Sequence, residues 1–179
     1  KVKNDIRRSL GVCEDEKMII SIGELIKRKN HESVIKAISK FRNIDFKYFI
    51  CGKGELIDSL QKLINKLHLE NTVYLLGFRT DISELLTSAD LFILPSFQEG
   101  LPVALMEAIA SRVAVICSDI RGNTDLIGKS ALFNPKEINA ISNKINEYLY
   151  KNNNDEILAN YARLKNYDIN IVISKTREI

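Results

Sequence analysis

Two carboxylates, Glu99 and Glu107, stand where an acidic side chain has chemical work to do. Glu107 is the only charge in an apolar run over 101–110. There Leu101, Ala104, Leu105, Ala108 and Ile109 take one side of a helix, and Val103, Met106 and Ala110 take the other. A helix apolar all round is buried, and a buried lone carboxylate is costly unless it is paired, hydrogen-bonded or protonated. Glu107 therefore either bonds a backbone amide or a nearby cation for structural reasons, or accepts hydrogen bonds from ligand hydroxyls. Glu99 precedes Gly100 and Pro102, and Pro102 suits the first turn of that helix. Free N–H groups and the positive end of the helix dipole make its mouth an anion site. Glu99 either caps the helix, a contribution of about 0.3–1 kcal/mol, or meets a ligand there. Position alone fits both.

A second candidate is the stretch Gly23-Glu24-Leu25-Ile26-Lys27-Arg28-Lys29, which follows a strand-like run. Lys27, Arg28 and Lys29 suit a diphosphate, and Gly23 permits close backbone approach. An ordinary solvated charge run is the plainer reading. Gly52-Lys53-Gly54 is neither a P-loop nor GxGxxG, and a tight strand-to-helix turn explains it. His31 and His68 are the only histidines, both expected at the surface, with His31 beside the basic loop. No Asp-x-Asp occurs, which argues against a metal-held diphosphate, and no CxxC suggests zinc.

The elements that must position these residues alternate. Apolar, β-forming runs fall at 18–23, 46–52, 72–78, 90–96, 114–119 and 130–134. Helical patterns separate them: Val34, Ile35, Ile38 and Phe41 share one face, and Leu56, Leu60, Leu63, Ile64 and Leu67 form a stripe. Further helices are expected over 81–88, where Asp81 and Glu84 have the spacing of a helix start, over 101–111 and from 136 onward. Strands joined by helical crossovers predict an α/β fold: a doubly wound, Rossmann-like parallel sheet with helices on both faces. Ligands are then expected at the C-terminal ends of the strands. Residues 151–154 read as a surface turn, 155–166 as weakly helical and 167–179 as ambiguous.

The chain of 179 residues fits one domain, or one with a tail, and its 45% hydrophobic content supplies a core. A balance of 26 basic against 23 acidic residues, +3, gives no argument for nucleic acid. No run approaches the roughly 20 apolar residues of a membrane span. Cys13, Cys51 and Cys117 are few, odd and widely spaced, as in a reducing compartment. The opening Lys1-Val2-Lys3-Asn4 has neither an initiator Met nor a signal-like region, and reads as part of something longer.

Together these segments resemble the C-terminal, donor-binding domain of retaining GT-B glycosyltransferases of group 1, also called family 4. Ser96-Phe97-Gln98-Glu99-Gly100-Leu101-Pro102-Val103-Ala104-Leu105-Met106-Glu107-Ala108 is similar to the family's Glu-x7-Glu segment. The stretch from Ser21 to Lys29 resembles its diphosphate loop. Ile50-Cys51-Gly52-Lys53-Gly54-Glu55, Leu76-Gly77-Phe78-Arg79 and Ser118-Asp119-Ile120-Arg121-Gly122-Asn123 follow in family order, so the similarity covers roughly 17–149.

The resemblance implies roles. Glu107 would bind ribose hydroxyls and Glu99 the donor sugar, while amides of Gly100, Leu101, Pro102 and Val103 would meet phosphate or sugar oxygens. Lys29 beside Gly23 would hold the diphosphate and stabilise it as it leaves, and backbone at Phe78 and Arg79 would contact the base. Glu99 and Lys29 are thus the catalytic candidates. Glu24 departs from the family, which often has Arg there. The acid is expected to point away, with Lys27 or Arg28 compensating.

The implied reaction is transfer of a sugar from a nucleotide diphosphate sugar, UDP-sugars being the commonest donors, to an acceptor hydroxyl with retention. No cofactor and no metal are expected. Residues 1–150 would be the nucleotide-sugar domain and 151–179 a C-terminal helical extension. The acceptor-binding N-terminal domain would be absent, leaving a fragment that binds donor but transfers nothing. The implied setting is the cytoplasm at the inner face of the membrane, with peripheral membrane contact through the missing half, in polysaccharide assembly. The rival readings are a GT-B nucleotide-sugar epimerase, with a fuller set of acid and base groups, and a non-catalytic nucleotide-binding module. A dehydrogenase would need the glycine fingerprint that Gly23-Glu24-Leu25 lacks.

Overall fold

The computed structural model describes residues 2–165, so the stretch 167–179 lies outside the described residues. Six strands are present: β1 (Lys17–Ile22), β2 (Phe46–Cys51), β3 (Val73–Gly77), β4 (Leu91–Leu94), β5 (Ala114–Ser118) and β6 (Leu132–Phe133). They form one parallel sheet in the order β3-β2-β1-β4-β5-β6. Ile20 stands opposite Phe49 on one side and Phe92 on the other. The direction of strand succession reverses between β1 and β4, which opens a crevice at their C-terminal ends. A buried polar chain crosses the same three strands: the Tyr48 hydroxyl donates to Ser21 Oγ (2.8 Å), which donates to the Ile93 carbonyl (2.7 Å).

Every residue of β4 and β5 is buried, which explains their continuous apolar runs. Each strand ends before its apolar run does. Gly23, Gly52, Phe78, Pro95, Ser96 and Asp119 leave the ladder and form the loops at the sheet's C-terminal edge.

The helices are α1 (Val2–Ser9), α2 (His31–Ile38), α3 (Ile57–Lys66), α4 (Ile82–Ser88), α5 (Val103–Ala110), α6 (Ile138–Tyr150) and α7 (Asn154–Leu164). α2 packs on α3 and α6, α1 on α4, and α5 on α7, covering both faces of the sheet. Among the described residues no helix is long and apolar enough to cross a membrane. The polar helix α1 is outside the sequence reading. Arg7 holds its end by donating to the Asp90 carboxylate (2.8 Å) and to the carbonyls of Ser88 (3.2 Å) and Glu16 (2.5 Å).

Two expectations are corrected here. The Asp81 side chain does not cap α4; it takes the Arg79 guanidinium through both oxygens (2.8 and 2.5 Å). The α5 helix begins at Val103, with Pro102 at the N-cap and not within the first turn.

Gly52 and Gly54 serve more than a tight turn. A Cβ on Gly52 would lie 1.9 Å from the Gly23 carbonyl oxygen, and one on Gly54 would lie 2.5 Å from that of Leu25. The two loops also exchange main-chain bonds, Gly23 N–H to the Cys51 carbonyl and Leu25 N–H to the Lys53 carbonyl, both 2.9 Å. Backbone cannot swing aside as a side chain does. Gly52→Ala is therefore expected to lower the unfolding free energy by about 3 kcal/mol, measured by urea denaturation, and to displace the Gly23 loop.

Candidate functional site

The loops after β1, β2, β3 and β4 meet at the C-terminal edge of the sheet. Lys27–Lys29 forms a 3₁₀ turn ending in Asn30, whose φ of 56° is left-handed. Asn tolerates that region better than most residues, and its side chain secures the turn. Asn30 Nδ2 donates to the carbonyls of Pro95 (3.0 Å) and Pro135 (3.1 Å), while Oδ1 accepts from Ser33 Oγ (2.7 Å). The Phe97 N–H donates to the Arg28 carbonyl at 2.8 Å. The basic turn is thus tied to the loop after β4 by main chain and side chain.

That tie brings Glu99 against two cations. Lys29 Nζ donates to Glu99 Oε1 at 2.7 Å, Ser96 Oγ donates to the same oxygen at 2.5 Å, and Arg28 Nη1 stands 3.4 Å from Oε2. Arg28 also donates to the Gln98 carbonyl (3.0 Å). The Glu99 side chain is only 4% exposed, so its charge is stabilised by these donors rather than by water. The stem of Lys29 runs along the first loop: a Cβ on Gly23 would meet its Cδ at 3.4 Å. Glu24 is exposed, as are Lys27 and Gly100. Glu99 accepts no hydrogen bond from an α5 amide; its carboxylate is taken by Lys29, Ser96 and Arg28.

The expectation for the amides needs adjustment. Pro102 has no N–H, and the Val103 N–H is taken by the Leu101 carbonyl at 2.9 Å. Met106 N–H reaches back to the Pro102 carbonyl (3.1 Å), which leaves the first-turn amides Ala104 and Leu105 directed out of the helix mouth. Nor is α5 buried all round. Leu105, Met106, Ala108 and Ile109 are buried, whereas Val103, Ala104 and Glu107 are half-buried and Ala110 is exposed. Glu107 lies on this open face. Its carboxylate has no hydrogen bond or ion pair with any described residue, and burial pushes its carboxyl above the usual carboxylate range. The structural explanation for Glu107, a paired carboxylate, is therefore not what the fold contains.

Gly23, Phe78 and Arg79 come together in one cleft of ≈ 360 Å³, lined also by Ile22, Glu24, Cys51, Gly52, Lys53 and Ile82, so Glu24 borders the cleft, against the expectation that it points away. Its floor is apolar, and Phe78, 65% exposed, carries Lys53 Nζ 5.3 Å from its ring centroid. Burial pushes the Cys51 thiol up to about 12, which makes it an inert wall residue. On the other side of the 27–29 turn, a second cleft of ≈ 350 Å³ is lined by Lys27, His31, Ser33, Lys36, Leu60 and Phe97.

His31 corrects the expectation of a surface histidine, which holds for His68 alone. His31 is 3% exposed, and neither ring nitrogen has a hydrogen-bond partner. Burial first, and the nearby Lys29 charge, lower its pKa to about 4, against the opposing influence of the Glu24 and Gly23 backbone. The folded protein therefore resists a proton that the unfolded chain accepts near pH 6.5, so stability falls as pH drops from 6.5 towards 4. At pH 5 the loss is about 2 kcal/mol. His31→Phe is expected to abolish that part of the slope while keeping stability at pH 7, as read by urea denaturation of both proteins at the two pH values.

Ser96 and Asn30, which bond into the candidate site, are the positions to which the sequence reading gives no role. The Ser-x-x-Glu spacing of Ser96 and Glu99 is visible in the sequence, but it resembles a helix start, and no helix is there.

An open, doubly wound α/β domain whose cations and carboxylates gather where the strand order reverses is a domain of the Rossmann-like class. More particularly, the chain belongs to the glycosyl transferases group 1 family, whose model matches residues 2–165. It is 31% identical over 150 residues to the putative teichuronic acid biosynthesis glycosyltransferase TuaC of Bacillus subtilis, covering 83% of this chain and 37% of that protein. It is 32% identical over 131 residues to the UDP-Gal:alpha-D-GlcNAc-diphosphoundecaprenol alpha-1,3-galactosyltransferase of Escherichia coli, covering 70% of this chain and 34% of the relative. Among solved structures, Anabaena HepE in complex with UDP and glucose superposes with a TM-score of 0.86 at 23% identity, over 99% of this chain and 51% of HepE. That likeness establishes the fold, the GT-B type of Rossmann-like domain. The chain thus spans about a third of these curated relatives and half of HepE. The family matched is one of glycosyl transferases and not of epimerases.

Proposed function

We propose that this domain binds a nucleotide diphosphate sugar across the C-terminal ends of β1 to β4. In the whole protein the sugar then passes, with retention at the anomeric carbon, to an acceptor hydroxyl. The observation that carries this reading is Glu107, an unpartnered, half-buried carboxylate on the open face of α5. An acceptor kept without a partner at a desolvation cost is explained by hydroxyls that arrive with a ligand. In this reading Glu107 takes the ribose, Lys29 and Arg28 hold the diphosphate, and the cleft at Phe78 and Arg79 takes the base. Glu99 binds the sugar. Lys29 stabilises the leaving diphosphate by preorganised charge, the kind of contribution that is often largest in catalysis.

UDP is the first donor base to test, because HepE binds UDP and the E. coli relative is named for UDP-Gal. Residues 1–150 form the donor domain in this reading, 151–179 its C-terminal extension, and a further domain of a longer protein supplies the acceptor site and a membrane contact. The domain by itself is then expected to bind donor and transfer nothing. Incubation with radiolabelled UDP-glucose, GDP-mannose or ADP-glucose and simple alcohol acceptors should give no labelled glycoside. Transfer by these residues alone would contradict the division of labour.

A further inference from the structure

The Glu99 carboxylate is held unequally. Oε1 receives two donors, Ser96 Oγ at 2.5 Å and Lys29 Nζ at 2.7 Å, whereas among the described residues Oε2 has only the 3.4 Å contact with Arg28. Ser96 is wholly buried, at 0% exposure, so its hydroxyl has no solvent to bond instead. It follows Pro95, whose carbonyl is anchored by Asn30, so the hydroxyl is delivered from a fixed point. Residues 95–100 are not helical, and a capping role does not account for the pair.

We propose that Ser96 is a positioning residue: it fixes the rotation of the Glu99 carboxylate so that Oε1 stays with Lys29 and Oε2 is presented to a hydroxyl of the donor sugar. The inference rests on the donor-binding reading above. Ser96 touches no ligand itself. Without its hydroxyl the carboxylate is steered by Lys29 and Arg28 alone and turns towards the diphosphate cations. The sugar then loses its acceptor, while the groups that hold the diphosphate remain.

The test compares matched pairs, UDP with UDP-glucose, GDP with GDP-mannose and ADP with ADP-glucose, by calorimetric titration of wild type, Ser96→Ala and Ser96→Thr. Each protein is first shown to melt cooperatively. The expected result is that wild type binds one sugar ester more tightly than its bare diphosphate. Ser96→Ala should weaken that ester about ten-fold, the loss of one hydrogen bond to a charged group, and leave the bare diphosphate within about two-fold. Ser96→Thr, which keeps the hydroxyl, should restore the ester. If a diphosphate binds but no ester binds better, or Ser96→Ala weakens ester and diphosphate alike or neither, the positioning role is overturned and the donor-binding reading stands. If no diphosphate binds wild type, the donor reading itself fails and the inference falls with it.

Discussion

Glu107→Gln is expected to weaken nucleoside diphosphate binding about ten-fold or more while leaving the melting temperature at pH 7 unchanged or higher. The two halves of this result have one cause. Hydrogen bonds to a charged acceptor are worth about 1.5–3 kcal/mol, and a carboxylate accepts from both ribose hydroxyls where an amide oxygen does so more weakly. In the free protein the same carboxylate has no partner among the described residues, and burial raises its pKa. A raised carboxyl pKa means that the folded state disfavours the ionised form, so at neutral pH the charge works against stability and acid relieves it. Gln removes the penalty with nearly the same shape. Calorimetric titration and thermal melting of the two proteins test both halves. A variant that loses stability together with affinity would show that Glu107 holds the fold instead.

The opposite pattern is expected at Lys29. Lys29→Met should cost both stability and diphosphate affinity, because the lysine has two jobs. It neutralises Glu99, whose side chain is 4% exposed, and removing one member of a buried pair strands the other. Ser96 and Arg28 still reach Glu99, so the loss is set at about 2–3 kcal/mol, below the full penalty for a stranded charge. The double variant Lys29→Met/Glu99→Gln removes the stranded charge and should recover most of that stability. Its diphosphate affinity should stay at least about ten-fold below wild type, since no ammonium faces the phosphates. Urea denaturation and calorimetry on the single and double variants separate the two roles. If the double variant binds as wild type does, Lys29 is a structural partner of Glu99 and nothing more.

Much of this architecture is legible in the sequence because parallel strands buried on both faces are written as unbroken apolar runs. Leu91–Leu94 is the plainest case, and it became the strand beside the switch point. The errors have physical causes. The apolar runs extend past the ladder, so the sequence places strand ends at residues that belong to the loops of the candidate site. Helix α1 has few apolar residues, although Ile6 packs against the core, and Arg7 reaches Asp90, a partner 83 residues away. Asp81 has the spacing of a cap, but Arg79, two residues before it, offers two charge-assisted bonds and wins. In the site, the resemblance named Lys29 and Glu99 as ligand groups. That they bond each other 70 residues apart depends on the Asn30 anchor and the Phe97–Arg28 main-chain bond, which no local spacing encodes. Burial of His31 was hidden in the same way, since a polar residue beside a basic run reads as surface until the Gly23 loop folds over it.

A nucleoside diphosphate is expected to bind at the C-terminal ends of β1 to β4. Amide chemical-shift mapping of this chain during titration with UDP, GDP and ADP tests it most directly. Saturable shifts are expected with one of the three, concentrated at Gly23, Lys29, Gly52, Phe78, Arg79, Gly100 and Ala104. Shifts confined to another surface, such as the cleft lined by Asp119, Lys129 and Asn134, or no saturable shift with any of the three, would contradict it.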